Sequence, residues 1–309
     1  MIHLIHKLTL LTPLFSRGSY DANFAESAEI RAPSIRGQLH HWLRQLDYGP
    51  AMERAIFGAV QKGFGGEDKP SASKIVVRVA NILGQRGTPA TLPHKAGGPA
   101  SHKAAYLPGT SFELHVLERL GGPTPEARIA FKRALDAWLL AGSLGLRCTR
   151  AGGAFQWAEA PQDIATFRRQ FAQIVGDSRL QFDILSPALS LAEDARKIAT
   201  DTISHQALAF VRFPLGAVKQ GFNDTLGALS RKTSPLRLTV RKFSDGYRLI
   251  ALWDTRIEVT GNNLNDLTRA ITLLAEGSQL STQKKLGAML RQSSISSQSS
   301  LPQPTRSFP

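Results

Sequence analysis

The sequence predicts an α+β fold, with antiparallel sheets carrying helices on one face, arranged as two tandem units. Two observations lead there: the order in which a strand period and a helix period alternate, and a length beyond one ordinary core. At 309 residues the chain can fill two packed domains, because single cores stop growing near that size in most folds. Its hydrophobic content of 42% and charged content of 20% belong to a folded globular chain rather than a disordered one.

Ile2 to Leu11 has the apolar content of a buried strand, ended by Thr12-Pro13. From Pro33 the period lengthens. Ile35, Leu39, Trp42, Leu43 and Leu46 fall on one helical stripe, with Pro33 in the first turn. A short helix follows around Met52 to Phe57, then a β-branched strand from Lys74 to Val79. Thr110 to Leu120 sets Phe112, Leu114 and Val116 on one face of a third strand. Pro125 to Ala141 returns to helical spacing, and Ala154 to Trp157 is a short closing strand. Strand, helix, strand, strand, helix, strand is the ferredoxin-like plan, which also underlies the RRM. The connection from Ala80 to Pro108 is too long for a tight turn, and such loops tend to be functional or mobile.

The second half predicts helices near Ile164 to Val175 and Leu191 to Ala199, and strands at Gln181 to Leu185 and Ala207 to Phe213. Strands Leu236 to Phe243 and Tyr247 to Trp253 join through the hairpin signal Asp245-Gly246. Helices Asn265 to Ala275 and Thr282 to Arg291 close the body. The expected division is a first unit over 1–159 with a glycine-rich loop at 142–153, a degenerate second copy over 160–291, and a Ser, Gln and Pro tail over 292–309 that buries nothing.

A formal net charge of +14 favours polyanionic partners. Residues 1–155 hold 19 basic and 11 acidic side chains and residues 156–309 hold 19 and 13, so the excess belongs to the folded body and not to a detachable arm. Cys148 is the single cysteine, which excludes an intrachain disulfide and a cysteine-rich zinc site. No run reaches the roughly 18 apolar residues of a membrane span, and a cytoplasmic chain with no membrane partner is the expectation.

Three segments concentrate phosphate-binding chemistry. The run Glu29-Ile30-Arg31-Ala32-Pro33-Ser34-Ile35-Arg36-Gly37 delivers a helix N-terminus with a Ser hydroxyl and two guanidinium groups, and Arg44 follows one face along. It reads equally well as a capped amphipathic helix with solvated arginines. The run Gly142 to Gly153, with Gly145, Arg147 and Arg150, can bring backbone close to a sugar-phosphate chain; a plain flexible connection is its plainer reading. It lacks the Gly-Lys-Ser/Thr ending of a Walker loop. The third is the basic turn Arg231-Lys232-Thr233-Ser234-Pro235. Arg17, just past the first strand, joins the candidate RNA contacts.

Taken in order, Thr12-Pro13-Leu14-Phe15, Ala28 to Gly37, Trp42, Ile56-Phe57-Gly58, the Ser73-Lys74-Ile75 strand entry, the Gly142 to Gly153 loop and Arg231 to Leu236 resemble the RAMP proteins of type III CRISPR-Cas systems, most closely the first-subunit family of the Cmr (type III-B) effector complex. Two departures stand out: Leu39-His40-His41-Trp42 where the family more often has Leu-Arg and aromatic residues, and Arg147-Cys148-Thr149-Arg150-Ala151-Gly152-Gly153 in place of a basic pair followed by Gly-Phe-Gly. The resemblance implies tandem ferredoxin-like (RRM-like) RAMP domains in a non-catalytic subunit of an antiviral ribonucleoprotein. Its partners would be crRNA, target RNA and other RAMP/Cmr subunits, and it implies no cofactor.

Enzyme readings compete with this. His3 and His6 are three apart on a strand and point to opposite faces, and His40 and His41 diverge on a helix, so no metal site is expected. A metal-independent RNA-processing endoribonuclease needs only a general base, for which His40, His41, His94 and His102 are candidates beside Lys95 or Lys103. A scaffold that binds only proteins is the third reading.

Overall fold

The computed structural model describes residues 3–16, 28–59, 70–93, 102–185, 187–201, 218–223, 229–231, 236–255 and 271–272 of the chain. The first sheet is built from β1 (His3–Leu10), β2 (Ile75–Leu83), β5 (Ser111–Glu118) and β6 (Phe155–Trp157), in the order β2-β5-β1-β6. All of its pairings are antiparallel: His6 faces Leu114, Val77 faces Val116, and Thr9 faces Gln156. With α1 (Ala32–Gln45) between the first two strands and α3 (Pro125–Ala141) between the last two, this is the predicted ferredoxin-like order.

Alternation explains which face the helices cover. Along β5, Phe112, Leu114 and Val116 are buried while Glu113, His115 and Leu117 are half-exposed. Leu8 and Leu10 of β1 share the buried side. Onto it α1 lays Ile35, Leu39, Trp42 and Leu43, the stripe expected from the sequence. Helix α3 starts at an N-cap, Thr124, whose hydroxyl accepts from the Ala127 amide at 3.3 Å. Its buried face mixes Ala127, Ala130, Ala134 and Ala137 with Phe131, Leu135 and Trp138. The alanines let α1 approach closely and the large residues fill the space between them. Helix α2 (Pro50–Phe57) closes one end with Ile56 and Phe57.

The Ala80–Pro108 connection carries structure of its own. Strands β3 (Arg86–Gly87) and β4 (Ala105–Tyr106) pair, and Leu14 bridges Tyr106. Strands β3 and β4, two residues each, offer no periodicity to detect and were not read from the sequence, and neither were β9 (Leu229–Arg231) and its partner β8 (Val218–Asn223).

In the second half, α4 (Ile164–Val175) precedes β7 (Leu180–Ile184), α5 (Ala192–Asp201), β10 (Leu236–Phe243) and β11 (Gly246–Asp254). The second sheet runs β10-β11-β7, antiparallel throughout. The hairpin turn is Ser244-Asp245, one residue before the Asp-Gly signal, because Phe243 pairs with Gly246 and the glycine takes a φ of 133° as the first residue of β11. The predicted strand Ala207–Phe213, the helix Thr282–Arg291 and the tail 292–309 lie outside the described residues, as does most of the helix Asn265–Ala275.

The two sheets share their interior. The first core runs on into Phe167 and Phe171 of α4 and Phe243, Ile250 and Leu252 of the second sheet, while a second core joins Leu236, Leu238 and Val240 to α5 and to Ala151 and Ala154 of the glycine-rich loop. Arg241 fastens this junction. Fully buried, it sends Nε to Leu140 O at 2.5 Å and Nη2 to Gly142 O at 2.7 Å, and Nη1 to Val240 O at 2.8 Å and Thr239 Oγ1 at 3.1 Å. Its guanidinium carbon lies 5.0 Å from the centre of the Phe155 ring. Burial pushes the group down to about 9, which leaves it charged at neutral pH against the negative end of α3. Arg241→Met should cost roughly 3 kcal/mol or more, because three carbonyls lose a buried donor at about 1–3 kcal/mol each. A urea midpoint unchanged from wild type would refute this.

Candidate nucleic-acid interface

The segment 11–16, just after β1, organises the site. Thr12 Oγ1 donates to Ala151 O at 2.7 Å and accepts from the Ala154 amide at 2.9 Å. Pro13 O accepts from the Gly153 amide at 2.9 Å, Phe15 O from Leu146 at 2.7 Å, and Ser16 O from Glu29 at 2.9 Å. On the other side Leu14 and Tyr106 exchange backbone bonds at 2.9 and 3.1 Å. One short run of chain therefore holds the glycine-rich loop, the entry to α1 and β4 together.

These bonds make the glycine-rich loop a fixed cradle and not a flexible connection. Gly145 (φ 75°) and Gly153 (φ 59°) sit in the left-handed region. A Cβ on Gly145 would lie 2.5 Å from Phe15 O, and one on Gly153 would overlap Leu144 O. Arg147 (φ 63°) and Ala151 (φ 58°) take the same conformation without being glycine, a strained arrangement found where function or dense packing demands it. Ser143 Oγ donates to Cys148 O at 2.7 Å across the base of the loop.

The loop's cations meet a strand the sequence did not connect to it. Leu238 of β10 bridges Arg150, with the Ala151 amide donating to Leu238 O at 2.8 Å and the Leu238 amide to Thr149 O at 3.1 Å. On the opposite side of β10 from Leu238, Arg237, Thr239 and Arg241 follow one another. Thr239 Oγ1 donates to Gly142 O at 3.3 Å, and Arg237 lies near Cys148. Burial depresses Arg237, with Cys148 opposing it, and burial together with the like charge of Arg147 depresses Arg150. Arg147 itself is exposed at the loop surface. A partly desolvated group of like-charged guanidinium groups gains most from a phosphodiester that neutralises it.

Beside the loop a shallow depression of about 360 Å³ is lined by Phe15, Ser16, Lys103, Ala104, Gly145 and Leu146. On the far side of Ser16 the chain enters α1. That helix has Arg31 as N-cap, no side-chain cap bond and no acidic residue in its first turn, so nothing in that turn neutralises the positive end of its dipole. Arg31 and Glu29 are 3.8 Å apart and half-exposed. The Ser34 amide bonds to Arg31 O at 3.1 Å.

Two arginines of the same run serve the fold. Arg36 Nη2 donates to Phe57 O at 2.7 Å, and Arg44 holds Glu53 through Nε at 3.0 Å and Nη2 at 2.6 Å. His40, between them, bonds to Glu53 and stacks on Phe57 with ring centres 3.9 Å apart. Spaced four apart on α1, the three clasp α2. The structure thus sets Gly145, Arg147 and Arg150 on the loop that segment 12–16 holds, places Arg237 near Cys148 and Lys103 beside Phe15 and Ser16, links this segment through Ser16 and Glu29 to the α1 entry that carries Arg31 and Ser34, and turns Arg36 and Arg44 toward α2. Arg17 and Lys232 lie outside the described residues, and Arg231 is described as backbone of β9 only. Arg237 was missed because a single arginine inside an apolar strand reads as a solvent-facing position; only the register against residues 149–151 places it at the loop.

Of the candidate bases, His40 is occupied by the clasp, His102 bridges Ala90, and His94 lies outside the described residues. His3 and His6 do lie on opposite faces: His3 bonds to His115, whereas His6 packs edge-on against Trp157. Among the described residues no group of three or more His, Cys, Asp or Glu side chains can hold a metal, and no helix is long and apolar enough to cross a membrane.

Residues 7–156 match the family model of the RAMP superfamily, and this part of the chain belongs to that superfamily. Among solved structures, the chain is similar to a subunit of a type III-B Cmr-beta complex bound to cognate target RNA and AMPPnP, at 10% identity, with a TM-score of 0.50 and 89% and 98% of the two chains covered. It is similar also to apo Cmr1 from Pyrococcus furiosus, at 16% identity, a TM-score of 0.49 and coverage of 83% and 88%. At such identity the likeness to the Cmr-beta subunit shows a shared fold. No curated protein matches the sequence.

Burial by itself would raise the Glu53 carboxyl, but its bonds to Arg44 and His40 outweigh that and leave it below the ordinary value. A carboxyl lowered in the native state contributes stability above its unfolded value, roughly 4.3, and loses it as pH falls through the native one. Wild type should therefore melt above Glu53→Gln at pH 7, with the gap narrowing as pH falls below roughly 4.3 and through the lowered native value; a gap independent of pH would show that the clasp is not ionic. Gly153→Ala should lower the melting temperature by several degrees, since the loop must leave its left-handed turn, and limited proteolysis should then cut within 142–153.

Proposed function

We propose that this chain is a non-catalytic RNA-binding RAMP subunit of a type III CRISPR effector ribonucleoprotein, assembling with other RAMP/Cmr subunits and contacting the crRNA 3' region, target RNA or both. The observation that carries the reading is the glycine-rich cradle with Arg147 and Arg150 on it and Arg237 near its Cys148, held by segment 12–16, which leads through Ser16 and Glu29 to an α1 N-terminus whose first turn holds no acidic residue. Such a site grips sugar-phosphate backbone and, among the described residues, presents no exposed aromatic platform for reading bases, so binding should be strong in charge and weak in sequence preference. The shared fold with a subunit of a complex bound to target RNA supports the assignment. Two tandem units, 1–159 and 160–291, belong to the same proposal.

Labelled single-stranded RNA titrated with the purified chain across a salt series, with gels of the same RNA run with and without EDTA, tests this. Binding should weaken steeply with salt and leave the RNA intact. Arg147→Ala/Arg150→Ala should lower the log–log salt slope by about 1.4, at about 0.7 per phosphate contact on a single strand. EDTA-resistant cutting at one position would establish the histidine ribonuclease instead, and absent binding with intact assembly would establish the scaffold.

A further inference from the structure

Helices α1 and α3 cover one face of the first sheet; among the described residues no helix packs on its other face, which is chemically uneven. Strand alternation places Lys7 of β1, Arg78 of β2 and His115 of β5 there, with Arg78 directly opposite His115 and Lys7 opposite Glu113. At the end of β2 and β5 the face deepens into a groove of about 510 Å³, with Val76, Leu117 and Leu120 as apolar lining and Lys74, Arg78 and Arg119 as its cations. Leu120 is 90% exposed, an unusual position for a large aliphatic side chain that no described residue covers.

The carboxylates near this groove are already engaged. Glu113 Oε2 receives His115 Nε2 at 3.0 Å and Asn81 Nδ2 at 2.8 Å, and His115 Nδ1 lies 3.1 Å from His3 Nε2. With His115 donating to Glu113, its Nδ1 accepts from His3, so a chain of four side chains fixes the one carboxylate on the open strands. Glu118, whose side chain turns to the helix-covered face, is held by Arg128 at 2.6 and 3.2 Å. Lys74, Arg78 and Arg119 thus leave the groove net positive: Glu118 in its lining is held by Arg128, and Glu113, opposite Lys7, is engaged by His115 and Asn81.

We infer that this open face and its groove form a second binding surface for single-stranded nucleic acid, distinct from the glycine-rich cradle, with bases laid on Val76, Leu117 and Leu120 and phosphates met by Lys74, Arg78, Arg119 and Lys7. The inference rests on the RNA-binding reading and extends it to a second track. Charge complementarity selects a polyanion, and the apolar lining between the cations selects one with exposed flat bases over a duplex, whose bases are stacked inside.

The test uses the full chain and a labelled oligouridylate, followed by anisotropy across a salt series. Arg78→Gln/Arg119→Gln changes exposed side chains only, and its melting temperature should stay at the wild-type value. The pair should lower the log–log salt slope by about 1.4, and Leu120→Ser should weaken binding several-fold at every salt concentration without altering the slope. A slope unchanged in the Arg78/Arg119 pair, while Arg147→Ala/Arg150→Ala still lowers it, would overturn the second surface and leave the cradle standing. Wild type that binds no RNA would overturn both. If a glutamate oligomer of equal charge displaces the RNA as well as unlabelled oligouridylate does, the face takes acidic protein segments and the inference fails.

Discussion

The architecture around the candidate interface depends on one buried cation. Arg241 occupies the point where α3 ends, the glycine-rich loop begins and the second sheet meets the first, and it satisfies carbonyls from the first two of these elements at once. A guanidinium suits this place because its donors fan out in a plane and reach several oxygens from a single side chain, which an ammonium cannot do. Its charge is balanced by the C-terminal carbonyls of α3 and the face of Phe155 instead of by a carboxylate. With the loop's first residues held there and its last residues bonded to Thr12 and Pro13, both ends of the cradle are fixed before any ligand arrives. Binding then loses little entropy in ordering the protein.

The same economy separates arginines that hold the fold from arginines left facing outward. Arg36, His40 and Arg44 occupy one stripe of α1 and meet α2 through Phe57 and Glu53. Arg128 serves Glu118, and Arg196 reaches the carbonyls of Ala90 and Thr91. Against this background, Arg147 at the loop surface and Arg78 and Arg119 on the other sheet face are exposed cations among the described residues of a chain with a net charge of +14. A high net charge alone says little; its distribution over engaged and outward-facing groups carries the functional content.

Much of this was legible along the chain because periodicity is local. The limits of α3 and α4 agree between spacing and structure, and the strand at 236–243 agrees as well, since their apolar residues repeat without interruption. The hairpin shifted by one residue because an Asp-Gly pair marks the neighbourhood of a turn, while the pairing of Phe243 with Gly246 sets its register. The short strands at 86–87, 105–106 and 229–231 carried no signal at all. For the site, glycines and arginines at 142–153 announced a loop able to approach a polyanion, yet they could not distinguish a flexible connection from a cradle, because many of the bonds that stiffen it come from residues distant in sequence, such as Thr12 and Leu238.

The sequence by itself determined the order of strands and helices, the ferredoxin-like plan of the first half, the basic character of the whole body and the segments rich in phosphate-binding groups. All of these follow from side-chain chemistry and spacing within a dozen residues. Only the tertiary structure decided that Arg237 sits near Cys148 of the loop, that Arg36 and Arg44 turn to α2, and that His3, His115, Glu113 and Asn81 form one hydrogen-bonded chain on the open face. Those outcomes depend on strand register and helix packing, which bring together residues distant in sequence and are set by the burial of the whole core.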